Sequence, residues 1–184
     1  MYTASEKKRE NIAEYILYMW QIEDLIRAYN LDIDRIDSEI IAQYQNLTDP
    51  QKRDLHEWYE SLIDMMRREG VEKQGHLQLN KNTVAALDDL HRRLLADNKF
   101  ATYAAEFYKT LPYIVELRAK AGDAKAGEVE TCLNALYGIL MLKLQKKQIS
   151  EETMAAIKQI STFMAHLSNY YKKDYNNELF SDQD

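Results

Sequence analysis

Histidine and cysteine are scarce in this chain, with four and one copies, so each can be weighed singly. His56, His91 and His166 come from three separate helical stretches that a bundle could bring together. A di-iron bundle site wants two copies of Glu-x-x-His, because residues three apart share one helix face. Here the nearest approach is Asp88 followed by His91, a single copy with the shorter acid. The zincin pattern also fails, since His56-Glu57 leads to Glu60 where a second histidine is required. Surface or hydrogen-bonded histidines are the plainer reading. No metal or cofactor is expected.

Acid/base chemistry needs a carboxylate held out of water, and Glu23 is the candidate, lying between Met19 and Ile26 on an apolar face. An ion pair with Arg27, four residues on, is the structural alternative. Cys132 has Glu128 and Glu130 nearby, which oppose thiolate formation, so it reads as an inert core residue. Phosphate-cradling glycine loops are absent. Among the thirteen tyrosines, Tyr103, Tyr108 and Tyr113 gather around Pro112 and Glu106, and tyrosine suits half-wet boundaries.

The elements that must position these residues are helices. Two prolines and five glycines are too few to turn a sheet protein. Ile12, Tyr15, Met19, Ile22, Ile26 and Tyr29 step by three and four, predicting a first helix from Ser5 to Tyr29, started by a Thr3/Glu6 capping box. The stepping continues past Asn30, yet one helix from Ser5 to Asn46 would be ~60 Å long in a domain ~40 Å wide. A break at Asn30, with Asp32 capping the next helix (Ile33 to Gln45), resolves this. Thr48-Asp49-Pro50-Gln51 opens the third helix and Gly70 closes it. Residues 71–79 read as an irregular loop. A fourth helix covers Lys81 to Asp97. The fifth, from Asn98, should kink or restart with Thr110 as cap at Pro112, and end at Gly122. The sixth, near 128–147, is apolar on nearly every side and so should be central, with Gly138 admitting a close neighbour. Ser150 caps the seventh, which should pair with the sixth as an antiparallel hairpin.

The expected architecture is thus all-α: a single-domain bundle of about seven helices over 1–173, followed by a polar acidic tail at 174–184. Beside its buried stripe the first helix carries Leu17, Tyr18, Trp20 and Leu25, a second apolar face that implies either a central position or a partner. A net charge of −6 with scattered basic residues argues against nucleic acid. Arg67-Arg68, Lys146-Lys147 and Lys172-Lys173 fall in last turns, where they complement helix dipoles. No apolar run reaches the ~20 residues that span a bilayer. Lys7, Lys8 and Arg9 precede an apolar stretch, but Glu10 and Glu14 interrupt it and no cleavage site follows, so a cytoplasmic protein is expected.

The stretches KKRENIAEYILYMWQIEDLIRAYN and GEVETCLNALYGILMLKLQKKQIS resemble a bacterial family of chains of about this length, defined as a domain of unknown function. The resemblance extends over essentially the whole chain and implies no activity, cofactor or site residue. On the residues alone, the leading expectation is a non-enzymatic cytosolic interaction or regulatory protein, a homo-oligomer or homodimer through Leu17, Trp20 and Leu25, or the binder of an unknown protein partner. The alternative is a small-molecule binder or enzyme with an interhelical pocket, with a metal-dependent variant, drawing on Glu23, His56, His91, Cys132 or His166.

Overall fold

Asn11 decides how the chain begins. Its extended backbone (φ −150°, ψ 104°) interrupts the helical stripe, and its side-chain oxygen accepts from the amides of Ala13 (3.1 Å) and Glu14 (3.2 Å). In the computed structural model, which describes residues 1–121 and 126–180, the expected first helix is therefore two: α1 (Tyr2–Glu10) and α2 (Ile12–Ala28). α1 packs on α2, with Ala4 buried. The Thr3/Glu6 capping box does not form; Met1 occupies the cap position without a side-chain bond.

Asn30 and Leu31 adopt the left-handed conformation (φ 57° each), ending α2 where expected. Asp32 then caps α3 (Ile33–Glu39), which tightens into a 3-10 turn at Ile41–Gln43. α4 (Asp49–Glu69) carries the full capping box of Thr48 and Gln51, and Gly70 (φ 67°) terminates it in the conformation that favours glycine. α5 (Gln78–Ala96) begins three residues before the sequence pattern suggests. No side chain of its own caps it; carboxylates from other elements do so instead, with Glu69 accepting from Gln78 N (2.6 Å) and Glu23 from Leu77 N (2.9 Å).

A 3-10 turn at Asn98–Phe100 leads into α6 (Ala101–Ala121), which runs through Pro112 without a restart. Thr110 is no cap: its hydroxyl donates back to the Glu106 carbonyl (2.9 Å). Gly122 lies outside the described residues. α7 (Glu128–Leu144) packs against α2, α5, α6 and α8, the central position its composition predicts, with burial concentrated in its first half at Val129, Cys132 and Leu133. Gly138 admits no close neighbour, since a Cβ there would meet nothing within 4 Å. Ser150 caps α8 (Glu151–Tyr175), which packs on α7 as the expected hairpin. The anticipated boundary at 173 falls inside α8, and beyond it Leu179 is buried and Phe180 stacks edge-on to Phe100.

The protein is an all-α bundle of eight α-helices among the described residues. No described helix is long and apolar enough to cross a membrane.

Candidate functional site

α2 is buried on both sides of its stripe because α1 and α7 cover what a single long helix would have exposed. Trp20, expected on a partner-facing side, is 3% exposed, and Leu17, Tyr18 and Leu25 are half-buried against the core. Of that second apolar face, Trp20 is taken up by the fold's own packing and the other three are partly covered.

That burial encloses Glu23, the one candidate acid with no exposed surface. Its expected partner Arg27 turns elsewhere, pairing with Asp24 (2.8 Å) and donating to the carbonyls of Val71 (3.0 Å) and Gly75. Arg27 thereby pins the loop 71–77 against α2. The loop and the first turn of α5 together deliver three donors to Glu23: Oε1 accepts from Leu77 N (2.9 Å) and from Asn80 Nδ2 on α5 (2.7 Å), and Oε2 lies 2.6 Å from His76 Nδ1. A buried carboxylate is tolerable only with such a set of partners. The start of α5 adds the positive end of a helix dipole to the same carboxylate.

An ionised carboxylate only accepts, so the His76 Nδ1 that faces it carries a proton; in the neutral ring Nε2 is then the acceptor. The imidazole is fixed on its face as well, stacked on Trp20 with centroids 4.3 Å apart and planes 16° from parallel. Tyr137 meets Trp20 edge-on at 5.6 Å and donates its hydroxyl to Asp24 Oδ2 (2.5 Å). Burial, reinforced by that bond, raises the Tyr137 phenol above its ordinary pKa, so it stays protonated.

Trp20 and His76 form one wall of an interhelical cavity of about 250 Å³. Lys81 and Asp88 of α5 and Glu130 of α7 also line it, with Val84 as apolar surface. Trp20 Nε1 is buried and has no hydrogen-bond partner among the described residues, and neither has Asn80 Oδ1. Gly127, which caps α7, borders the cavity with its Cα about where Asp88 needs room: a Cβ there would sit 3.3 Å from Asp88 Oδ1. The lining includes no hydroxyl or thiol nucleophile among the described residues.

The other candidates are dispersed. His56 is half-buried beside Asp37 (3.4 Å). His91 is sealed in the core, its Nδ1 2.7 Å from the Tyr103 hydroxyl and its ring edge-on to Phe107 and Phe163. Desolvation lowers its pKa despite the opposing fields of Glu128 and Asp88. His166 is exposed, on a separate pocket of about 270 Å³ beside Lys173. Cys132 is fully buried, and burial pushes its thiol up to about 12. Among the described residues no three His, Cys, Asp or Glu side chains gather as a metal site would need. Of the tyrosine group, Tyr103 is buried, Tyr113 half-buried and Tyr108 exposed, so it forms no shared surface.

His76 and Asn80, the partners that define the site, were not marked by the sequence. The only signal was their position: polar residues in and just after an aperiodic loop, which tertiary contacts alone could fix.

The family model described as a domain of unknown function (DUF4924) matches residues 1–178. The chain belongs to this family. DUF4924 carries no activity or site with it, and no solved structure matches the chain. The Glu23 cluster of this DUF4924 member therefore rests on its own geometry.

Proposed function

We propose that this chain binds a small polar molecule in the cavity walled by Trp20 and His76, with His76 Nε2 accepting a hydrogen bond or proton from it. The observation that carries this reading is the clamp on His76: a fully buried carboxylate sets its tautomer while an indole sets its plane. Holding one imidazole so firmly at the edge of a cavity is what ligand recognition needs, since pre-organised groups lose little freedom on binding. One cation, Lys81, and two carboxylates, Asp88 and Glu130, in the lining suit a ligand bearing both a donor and an acceptor. Because no hydroxyl or thiol lines the cavity with His76 among the described residues, binding is favoured over serine- or cysteine-type covalent catalysis.

Trp20 and Trp58 make the test internal to the molecule, because Trp58 stacks edge-on with Tyr59 on α4. A library of small hydroxylated and amino acids is titrated while both indole N–H resonances are followed by NMR. Hits should move Trp20 alone, and His76→Ala should abolish the shift. Hits that move Trp58 equally, or an unresponsive Trp20 across the library, would sink the reading.

A second reading, self-association, keeps one observation in its favour. Leu144 at the end of α7 is 65% exposed, and Leu140 and Met141 are only partly covered. Sedimentation of the wild type against Leu144→Lys checks it; identical monomers would remove it.

A further inference from the structure

The last turns of α1 and α8 both carry the cations that complement a helix C-terminus: Lys7, Lys8 and Arg9 on one, Lys172 and Lys173 on the other. Read along the chain these are scattered. In the fold, Lys8, Arg9 and Lys172 line one groove of about 770 Å³ between the α1–α2 junction and the end of α8. Its volume falls within the range of small-molecule pockets, roughly 300–1,000 Å³.

The groove has a charged rim and an apolar base. Ile12 is buried there and Tyr171 is half-buried. Neither Lys8 nor Lys172 forms an ion pair among the described residues; Lys8 instead rests over the Tyr15 ring at 5.5 Å. Arg9 reaches Glu10, the one carboxylate on the rim among the described residues, at 3.7 Å with both side chains well solvated. Three cations thus face one anion in a chain of net charge −6. Ser168 lines the same groove, 3% exposed, and its Oγ has no hydrogen-bond partner among the described residues. An orphaned buried hydroxyl normally costs stability, so it marks a place where a bound acceptor would fit.

We propose that this groove is a second ligand site, independent of the Trp20–His76 cavity, for a free amphipathic carboxylate: an apolar body over Ile12 and Tyr171, a carboxylate head among Lys8, Arg9 and Lys172. The head accepts charge-assisted hydrogen bonds from these cations, which are stronger than those between neutral groups. The area shared between apolar base and cationic rim discriminates against neutral or cationic molecules of the same length.

Calorimetric titration with octanoate, octan-1-ol and octylammonium tests the proposal on the full chain. Octanoate should bind saturably at one site, and octylammonium should bind at least roughly tenfold more weakly. The Lys8→Gln/Lys172→Gln pair, on solvated positions that leave the fold intact, should weaken octanoate by roughly tenfold or more. Ser168→Ala should weaken it without loss of thermal stability. His76→Ala should leave it unchanged, which separates failure here from failure of the other site. Equal affinity for the three ligands, or octanoate binding indifferent to Lys8 and Lys172, would overturn the proposal. So would co-sedimentation with phosphatidylglycerol vesicles without any octanoate binding, which would make the groove a membrane contact.

Discussion

Two buried polar clusters in this bundle invite opposite conclusions. Around His91, the imidazole bonds to Tyr103 and is otherwise walled by Phe107 and Phe163, with both polar residues almost wholly out of water. Around Glu23, the carboxylate is equally inaccessible, yet its partner His76 keeps a third of its side-chain surface and borders a cavity. The first cluster is closed at its imidazole: each polar group answers the other, and it is Tyr103, not His91, that borders the pocket beside His166. The second is open at one end. Burial of a titratable group alone does not separate structure from function; what separates them is whether the group it orients still faces a space.

The largest effect expected of this difference comes from cutting the open cluster at its root. Glu23→Ala strands the Leu77 amide, the Asn80 amide group and His76 together. Urea unfolding should show a loss of about 3 kcal/mol, the range for breaking a buried charged network. Glu23→Gln keeps an acceptor oxygen and should lose about half as much. A loss under ~1 kcal/mol for the alanine variant would mean that the three donors find other partners, against the burial described here.

The closed cluster should behave as a two-member pair. His91→Leu leaves the Tyr103 hydroxyl buried without a partner and should cost about 2 kcal/mol. His91→Leu/Tyr103→Phe removes both polar ends and should recover most of that, because apolar replacement of both partners is nearly neutral. Neither variant should alter the Trp20 indole resonance. If either does, the two clusters are coupled and the contrast fails.

Closure also has a pH signature. Desolvation holds the folded-state pKa of His91 below its ordinary value near 6.5. The unfolded chain therefore binds more protons than the folded one between those two values, so stability falls as pH drops below ~6.5 and is fully present above it. The contribution is at most about 1.4 kcal/mol per pH unit. The difference in unfolding free energy between wild type and His91→Leu/Tyr103→Phe, measured from pH 7.5 to 5, should change in that direction; a flat difference would place water beside His91.

How much of this was legible beforehand follows the range of the forces involved. Local rules located Asn30, Asp32, the Thr48 capping box, Gly70 and the Ser150 cap, because each acts within a turn of its own residue. They misjudged Asn11, since the stripe Ile12–Tyr29 is equally consistent with a helix starting earlier, and only the packing of α1 on α2 rewards the break. Glu23 stood out through its apolar neighbours, but its partners are more than fifty positions away and carry no periodic mark. The reversal of Trp20 from partner face to cavity wall has the same origin: periodicity reports which faces are apolar, and only topology decides what covers them.

The smallest effect sharpens the contrast from the cavity's side. Gly127 has an ordinary backbone conformation (φ −62°, ψ 165°), so alanine is not strained there. Its methyl would come 3.3 Å from Asp88 Oδ1, a contact that asks the carboxylate to give by a few tenths of an ångström. Asp88 can give, being partly exposed and held, among the described residues, only by Arg92 at 3.4 Å. Gly127→Ala should therefore cost about 0.5 kcal/mol, mostly for alanine at a helix cap. In the closed cluster an added methyl would have no such freedom, and overpacking there costs about 1–3 kcal/mol. The same methyl projects into the space that a ligand against Trp20 would share, so any NMR hit should weaken in Gly127→Ala while thermal stability barely moves. A hit untouched by this methyl sits outside the cavity, and the open cluster would then be as purely structural as the closed one.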